Sequence, residues 1–442
     1  MRKILSCIIL VMVLLASAVP LAVMPAAAQQ AGIPFAGEAN ELIKDEFVDA
    51  ILPYMLGEGD LKLDDVGDAA WVYAYWNGKP KTVTDMADKE VTLYRPPERV
   101  AALSHVFIQE VMFVFGIPED ALVAIGGCGG EVGSYNYTYE GKQYTYTGSG
   151  YPSDVLYPKC LELPNVGRID DGINYEVLAN AQPELVIIRV CCCQSEENVE
   201  RVGSVIESLG IPVVIIKDPR SYDVQNEDII YNEIEVLGTV FDKQEKAEQL
   251  IDAMDEPVEL IRDRTRDIPE DEKPNVLYFG LSRKAREQGL GVGNTAGIET
   301  FESKMLEDIV NAKNAFRGTV PSAILSSEQV LALNPDVIIL PTSYGHHPPT
   351  ELYESEHFKR IQEVMAIQEK RVCSLPATGC RSERLEFPIE LMIEAKCCYP
   401  ERFADIDISE WSSDYYKEIY GIDDDKVEEI KLAQQYYRLE IE

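Results

Sequence analysis

The chain has 442 residues, enough for two or three domains with cores of their own. Its 76 acidic and 40 basic residues give a formal charge of −36, which excludes holding nucleic acid or an anionic membrane surface through a basic patch. Acidity on this scale suits a solvated surface and names no partner.

The N-terminus reads as a targeting segment. Arg2 and Lys3 precede an apolar run over residues 4–23, and Ala26, Ala27 and Ala28 stand before Gln29. This is the charged, apolar and A-x-A pattern of an export signal, so residues 1–28 are set apart and the rest is expected outside the cytoplasm, in a periplasm or at the cell surface. The run is nearly long enough to span a bilayer, which leaves a retained membrane anchor as the alternative. No later segment is of that kind. Without Cys7, nine of the ten cysteines remain, so at least one thiol is unpaired. Cys128 with Cys160, and Cys373 with Cys380, are pairs that would close loops, although connectivity cannot be derived from spacing.

Residues 39–78 form a small appendage. Leu42, Phe47, Ile51 and Leu56 recur at helical spacing, an acidic turn follows, and LDDVGDAAWVYAYW offers a second apolar surface. The expectation is a helical hairpin resting on another surface. From Lys81 the pattern alternates as in strands, opening an N-terminal α/β lobe over residues 81–241. Its insertion at residues 135–157 is rich in tyrosine and carries the glycosylation sequon of Asn136, Tyr137 and Thr138, and reads as a lid for a flat ligand or as a surface hairpin. Residues 242–267 place Ala247, Leu250, Ile251, Met254, Val258 and Ile261 on one face of a long linking helix. Pro257 predicts a kink or a break there, since an interior proline costs about 3 kcal/mol. A second α/β lobe follows over residues 268–403, then an acidic helical tail over residues 404–442.

One unit occurs twice. Residues 174–188 read NYEVLANAQPELVII and residues 326–340 read SSEQVLALNPDVIIL. In each copy a glutamate, Glu176 or Glu328, stands seven residues before a proline, and an acidic residue and four aliphatics follow. Each reads as a short helix ended by an X-Pro step, then a strand buried on both faces of a parallel sheet. The fold class is therefore α/β, with two related Rossmann-like lobes joined by a long helix.

Here a resemblance joins the reading of the residues. The stretches Val83-Thr84-Asp85, Val91-Thr92-Leu93 and Pro97-Glu98-Arg99-Val100 resemble the opening of the class III periplasmic binding proteins of ABC importers. Leu163-Pro164-Asn165-Val166-Gly167, Leu209-Gly210-Ile211-Pro212-Val213 and Phe387-Pro388 through Phe403 follow in the order of that family, so the likeness spans roughly residues 81–420. It implies a monomeric, non-enzymatic protein that captures a ferric chelate, haem or cobalamin between its lobes, with no cofactor of its own. It also implies that Glu176 and Glu328 meet basic residues of the permease. Capping of the helix N-terminus is the plainer role for both, worth about 0.3–1 kcal/mol.

Ligands of open parallel sheets collect beyond the carboxyl ends of the strands. After the first repeat come Arg189, Val190, Cys191, Cys192 and Cys193; after the second come Tyr344, His346 and His347. Thiolate, imidazole and phenolate suit a transition metal or haem, but neighbouring cysteines in extended chain point in alternate directions and are ordinarily buried. The other strand ends offer His105, then Arg283, Lys284 and Arg286, then Arg381 and Arg384, whose guanidinium forks match carboxylates or simply balance an acidic surface. An exported metal-handling or redox protein working through Cys191, Cys192 and Cys193 is the alternative function. Enzymes rank last: the glycine run at residues 289–297 misses the dinucleotide spacing, and no nucleophile elbow or H-E-x-x-H helix is present.

Overall fold

A computed structural model describes residues 41–58, 61–127, 133–139, 142–148, 151–191, 194–280, 285, 288–341, 348–376, 384–436 and 439. The export segment falls outside them.

The appendage is a pair of helices, α1 (Lys44–Met55) and α2 (Leu63–Tyr75). Phe47 stacks on Tyr73 at 4.9 Å, and Val66, Ala69 and Val72 turn the inner face of α2 into the protein. Polar ties dock the pair on the first lobe. Trp76 Nε1 donates to Asp242 at 3.0 Å, and Arg95 reaches Asp68 at 3.3 Å and Glu184 at 3.0 Å.

The first lobe begins with an antiparallel pair, β1 (Lys81–Thr84) and β2 (Glu90–Leu93). Buried Asp85 accepts from the amides of Ala87 and Lys89 to close their turn, and from the amide of Ile215 to fasten it to the sheet. The chain continues through β3 (Val100–Leu103), α3 (His105–Val114), β4 (Leu122–Gly126), the hairpin β5 (Gly133–Tyr139) and β6 (Lys142–Gly148), and α4 (Pro152–Leu156). It then forms α5 (Tyr175–Ala181), β7 (Leu185–Val190), α6 (Glu196–Ser208), β8 (Val213–Lys217) and α7 (Asp228–Val240). The sheet is parallel, in the order β8-β7-β3-β4.

The linking helix α8 (Gln244–Thr265) runs through Pro257 as one element, so of the kink or break expected there the break does not occur. Pro257 supplies no amide to the carbonyl of Ala253, a residue that borders a cavity of about 550 Å³. The second lobe holds β9 (Asn275–Tyr278), β10 (Lys313–Asn314), α9 (Ser327–Leu333), β11 (Val337–Leu340), β12 (Val372–Ser374) and α10 (Phe387–Cys398). Its parallel sheet has the order β10-β9-β11-β12. The tail forms α11 (Ile408–Tyr420) and α12 (Asp424–Ala433).

The two duplicated strands do the same work. Val186 and Ile188, like Ile338 and Leu340, enter a core belonging to one lobe alone. Leu185 and Ile187, like Val337 and Ile339, enter a single core that continues through α8, α10 and α11. Each such side chain contributes about 1.5–3 kcal/mol by leaving water.

The cysteine pairing corrects both expected loops. Cys373 is bonded to Cys397, which staples α10 to β12, and Cys160 is a buried free thiol beneath α3 whose burial raises it to about 11. The closeness of Cys373 to Cys397 comes from helix-on-sheet packing, which short sequence spacing does not show.

Candidate functional site

Both repeat helices are built alike. Asn174 caps α5 by accepting from the amide of Val177 at 3.1 Å, and Ser326 caps α9 by accepting from the amide of Gln329 at 3.3 Å, with the Gln329 side chain returning the favour at 2.9 Å. Both helices stop at a left-handed residue before proline, Gln182 at φ 50° and Asn334 at φ 41°. The result is an exposed carboxylate in the first turn of each helix, Glu176 on one lobe and Glu328 on the other.

The strand ends differ. Arg189 is the penultimate residue of β7 rather than part of a loop, and it is 3 % exposed. Its Nε and one terminal nitrogen each donate to Glu233 of α7 at 2.6 Å, and its plane lies 4.1 Å from the Phe107 ring. Next to it, at the end of β8, Asp218 accepts from Arg220 at 3.1 and 3.0 Å. Burial alone would raise the Asp218 carboxyl, but Arg189 and Arg220 outweigh it and hold it below the usual carboxylate range. The carboxyl end of the first lobe's sheet thus carries a compensated ionic cluster.

His105 begins α3 at the end of β3, where the strand-end rule puts it, but it is buried. Burial lowers its pKa against the nearby Gly126 carbonyl, so the ring is neutral at pH 7. Cys191 is buried and carries no disulfide; its amide donates to Gln194 at 3.1 Å. Arg384 corrects an expectation. Instead of facing a ligand it is fully buried and pairs with Glu390, with Glu386 3.7 Å away. A guanidinium so far from water is held only where carboxyl groups surround it. Cys192, Cys193, Arg283, Lys284, Arg286, Tyr344, His346, His347 and Arg381 lie outside the described residues. Among those described, no group of three histidine, cysteine or acidic side chains is placed to hold a metal ion.

Residues 384–386 also make a polar contact between the lobes. Glu110 of α3, 0 % exposed, accepts from the amide of Leu385 at 3.3 Å. Glu110, Glu233, Asp218, Arg220 and Glu386 were not singled out from the sequence. For one of them the signal is present: Glu110 is the one acid within HVFIQEVMFVF, a helix otherwise apolar enough to be buried, whereas IIYNEIEVL holds both Glu233 and Glu235 and does not single out the buried one.

Comparison with known proteins places this architecture. The family profile described as periplasmic binding protein matches residues 142–378. The molybdate-binding protein MolA of Haemophilus influenzae is 24 % identical over 359 residues, covering 77 % of this chain and 91 % of that protein. The ABC transporter substrate-binding lipoprotein YvrC of Bacillus subtilis is 23 % identical over 264 residues, 59 % of this chain and 68 % of its own. Among solved structures, a periplasmic solute binding protein from Veillonella parvula superposes with a TM-score of 0.60 at 21 % identity, over 81 % of this chain and 98 % of that one.

Proposed function

We propose that this chain, which belongs to the periplasmic binding protein family, captures a metal-centred small molecule between its two lobes and delivers it to an ABC importer. Family membership carries the coarser statement: the chain is an extracytoplasmic substrate-binding protein of the ABC transporter type. Among the relatives, MolA is named for molybdate, and a Helicobacter pylori CeuE structure of TM-score 0.53 is described with Ni(II) bound. These relatives widen the ligand class that the resemblance implies, an iron chelate, haem or corrinoid, to metal complexes and metal oxyanions. The protein acts as a monomer without catalysis and without a resident cofactor, and its loops read the ligand while the scaffold presents it.

One observation supports this reading most. The same capped helix and doubly buried strand occur once in each lobe, each with an exposed glutamate in its first turn. Two matched carboxylates on separate lobes suit a partner with two basic sites, and we assign Glu176 and Glu328 to permease docking.

Native mass spectrometry tests the capture reading. The chain freed of residues 1–28 is offered cobalamin, ferric siderophores, haem, molybdate and nickel with histidine. One adduct at unit stoichiometry is the expected result and names the ligand class. Retention of bare metal ions alone, lost when Cys191, Cys192 and Cys193 become serine, would replace capture with metal handling through thiols.

A further inference from the structure

The tail does not hang free. Helix α11 packs on α10 of the second lobe, on α8 between the lobes and on α3 of the first lobe, while α12 packs on α4 of the first lobe. Tyr416 fastens one tail helix to the other by donating to Gln434 at 2.8 Å. The end of α11 is wedged where the lobes meet. Tyr415 donates to the Leu385 carbonyl at 2.8 Å, and Tyr420 donates to Glu386 and sets its ring edge-on to Phe113 of α3 at 6.1 Å. Residues 384–386 are therefore held from the first lobe by Glu110 and from the tail by two tyrosines.

We propose that this junction is a protonation-controlled lock between the lobes: neutral Glu110 and Glu386 let the tail hold one lobe orientation, and their ionisation releases it. The charges explain why. Glu110, Glu386, Glu390 and Arg384 are all at most 1 % exposed, and among the described residues three carboxyls lie around this guanidinium, with Arg189 a second cation facing Glu110. Arg384 pairs with Glu390, while Glu110 Oε1 and Glu386 Oε2 have no hydrogen-bond partner among the described residues. Arg384 is engaged by Glu390 and Arg189 by Glu233, so ionising Glu110 or Glu386 as well adds an anion that no hydrogen-bonded cation among the described residues compensates.

Glu110 faces Arg384, Glu386 and the Leu385 amide from the second lobe, Arg189 from β7, and Tyr420 from the tail. Glu386 faces Arg384, Glu390, Tyr420, Tyr415 and Tyr416. Burial pushes Glu110 well above the ordinary carboxylate range, and Glu386 adds to the push. Burial also raises Glu386, against Arg384 and Tyr420. A group raised by the fold stabilises it fully below its unfolded value, 4.5 for glutamate, and that contribution is lost as pH climbs through the folded value. Room for release is at hand. The cavity near 550 Å³ is bordered by Phe113, Ile117, Tyr157, Leu250 and Tyr420, and α11 ends beside it at Gly421 in a left-handed turn.

The lock goes beyond ligand capture, and its test uses the ligand-free full chain, so its failure leaves the capture reading standing. Amide hydrogen exchange is followed by mass spectrometry at pH 5.5, 7 and 8.5 and corrected for the intrinsic rate, with small-angle scattering on the same samples. In the wild type, protection over residues 384–398 should fall about tenfold or more across that range and the radius of gyration should rise, while β7 and β11 hold their protection. Glu110→Gln, which cannot ionise, should remove the pH slope and keep the protection. If it does not fold, Glu386→Gln is read in the same way. Flat protection or an unchanged radius in the wild type overturns the lock, as does a wild-type slope in the folded variant.

Discussion

The two copies of the repeat agree on the outside of the protein and disagree at the strand ends. Outside, α5 and α9 share a side-chain cap, a left-handed stop before proline and an exposed glutamate in the first turn. At the strand ends, β7 closes on the buried pair of Arg189 and Glu233, whereas β11 closes on Leu340 and then Pro341, with no charge at that position. On the proposed function, a partner that touches both lobes would read what the copies share, and a ligand held between them would read what they do not.

The largest effect should come from the strand end that carries the charge. Arg189→Met leaves Glu233 buried and unpaired, which is expected to cost about 3–5 kcal/mol in urea unfolding. Replacing both, Arg189→Met with Glu233→Met, should recover most of that loss, because no uncompensated charge remains. A double variant as unstable as the single one would show that packing, through the Phe107 contact, sets the cost instead.

Smaller effects should be shared by the copies. Asn174→Ala and Ser326→Ala each remove one hydrogen bond to the amide two residues into the helix and should cost about 1 kcal/mol apiece. Because the sites sit on separate lobes, the losses should add in the double variant. Unfolding in two steps, with each cap moving only one of them, would show that the lobes do not share a cooperative core.

The duplication was legible because it rests on local physics: an X-Pro step, a cap residue and an unbroken aliphatic run point to the same helix and strand in both copies. Legibility fails where distant residues decide. Arg384 lies soon after the β12 strand and so reads as a cleft residue, yet Glu386 and Glu390 follow it on the path into α10 and enclose it. Pro257 reads as a kink or a break, and the break is absent because α8 continues through it with Met254, Val258 and Ile261 in the shared core. The tail reads as an acidic helical segment, but the three tyrosines of its WSSDYYKEIY stretch reveal nothing of their partners, the carbonyl of Leu385, Gln434 and Glu386.

The smallest change in stability should carry the largest change in function. Glu176→Gln and Glu328→Gln each give up an acid near a helix N-terminus, worth about 0.3–1 kcal/mol, and both side chains are exposed. If the carboxylates serve only their own helices, this is the whole consequence. If they face basic residues of a permease, charge reversal of both, Glu176→Lys with Glu328→Lys, should bring ligand-stimulated importer ATPase down to its basal rate while ligand affinity stays within about twofold. Reversal of one alone should leave partial stimulation, since each lobe carries one contact. Full stimulation by the double reversal would return both residues to capping, and the agreement between the copies would then reflect the requirements of the fold alone.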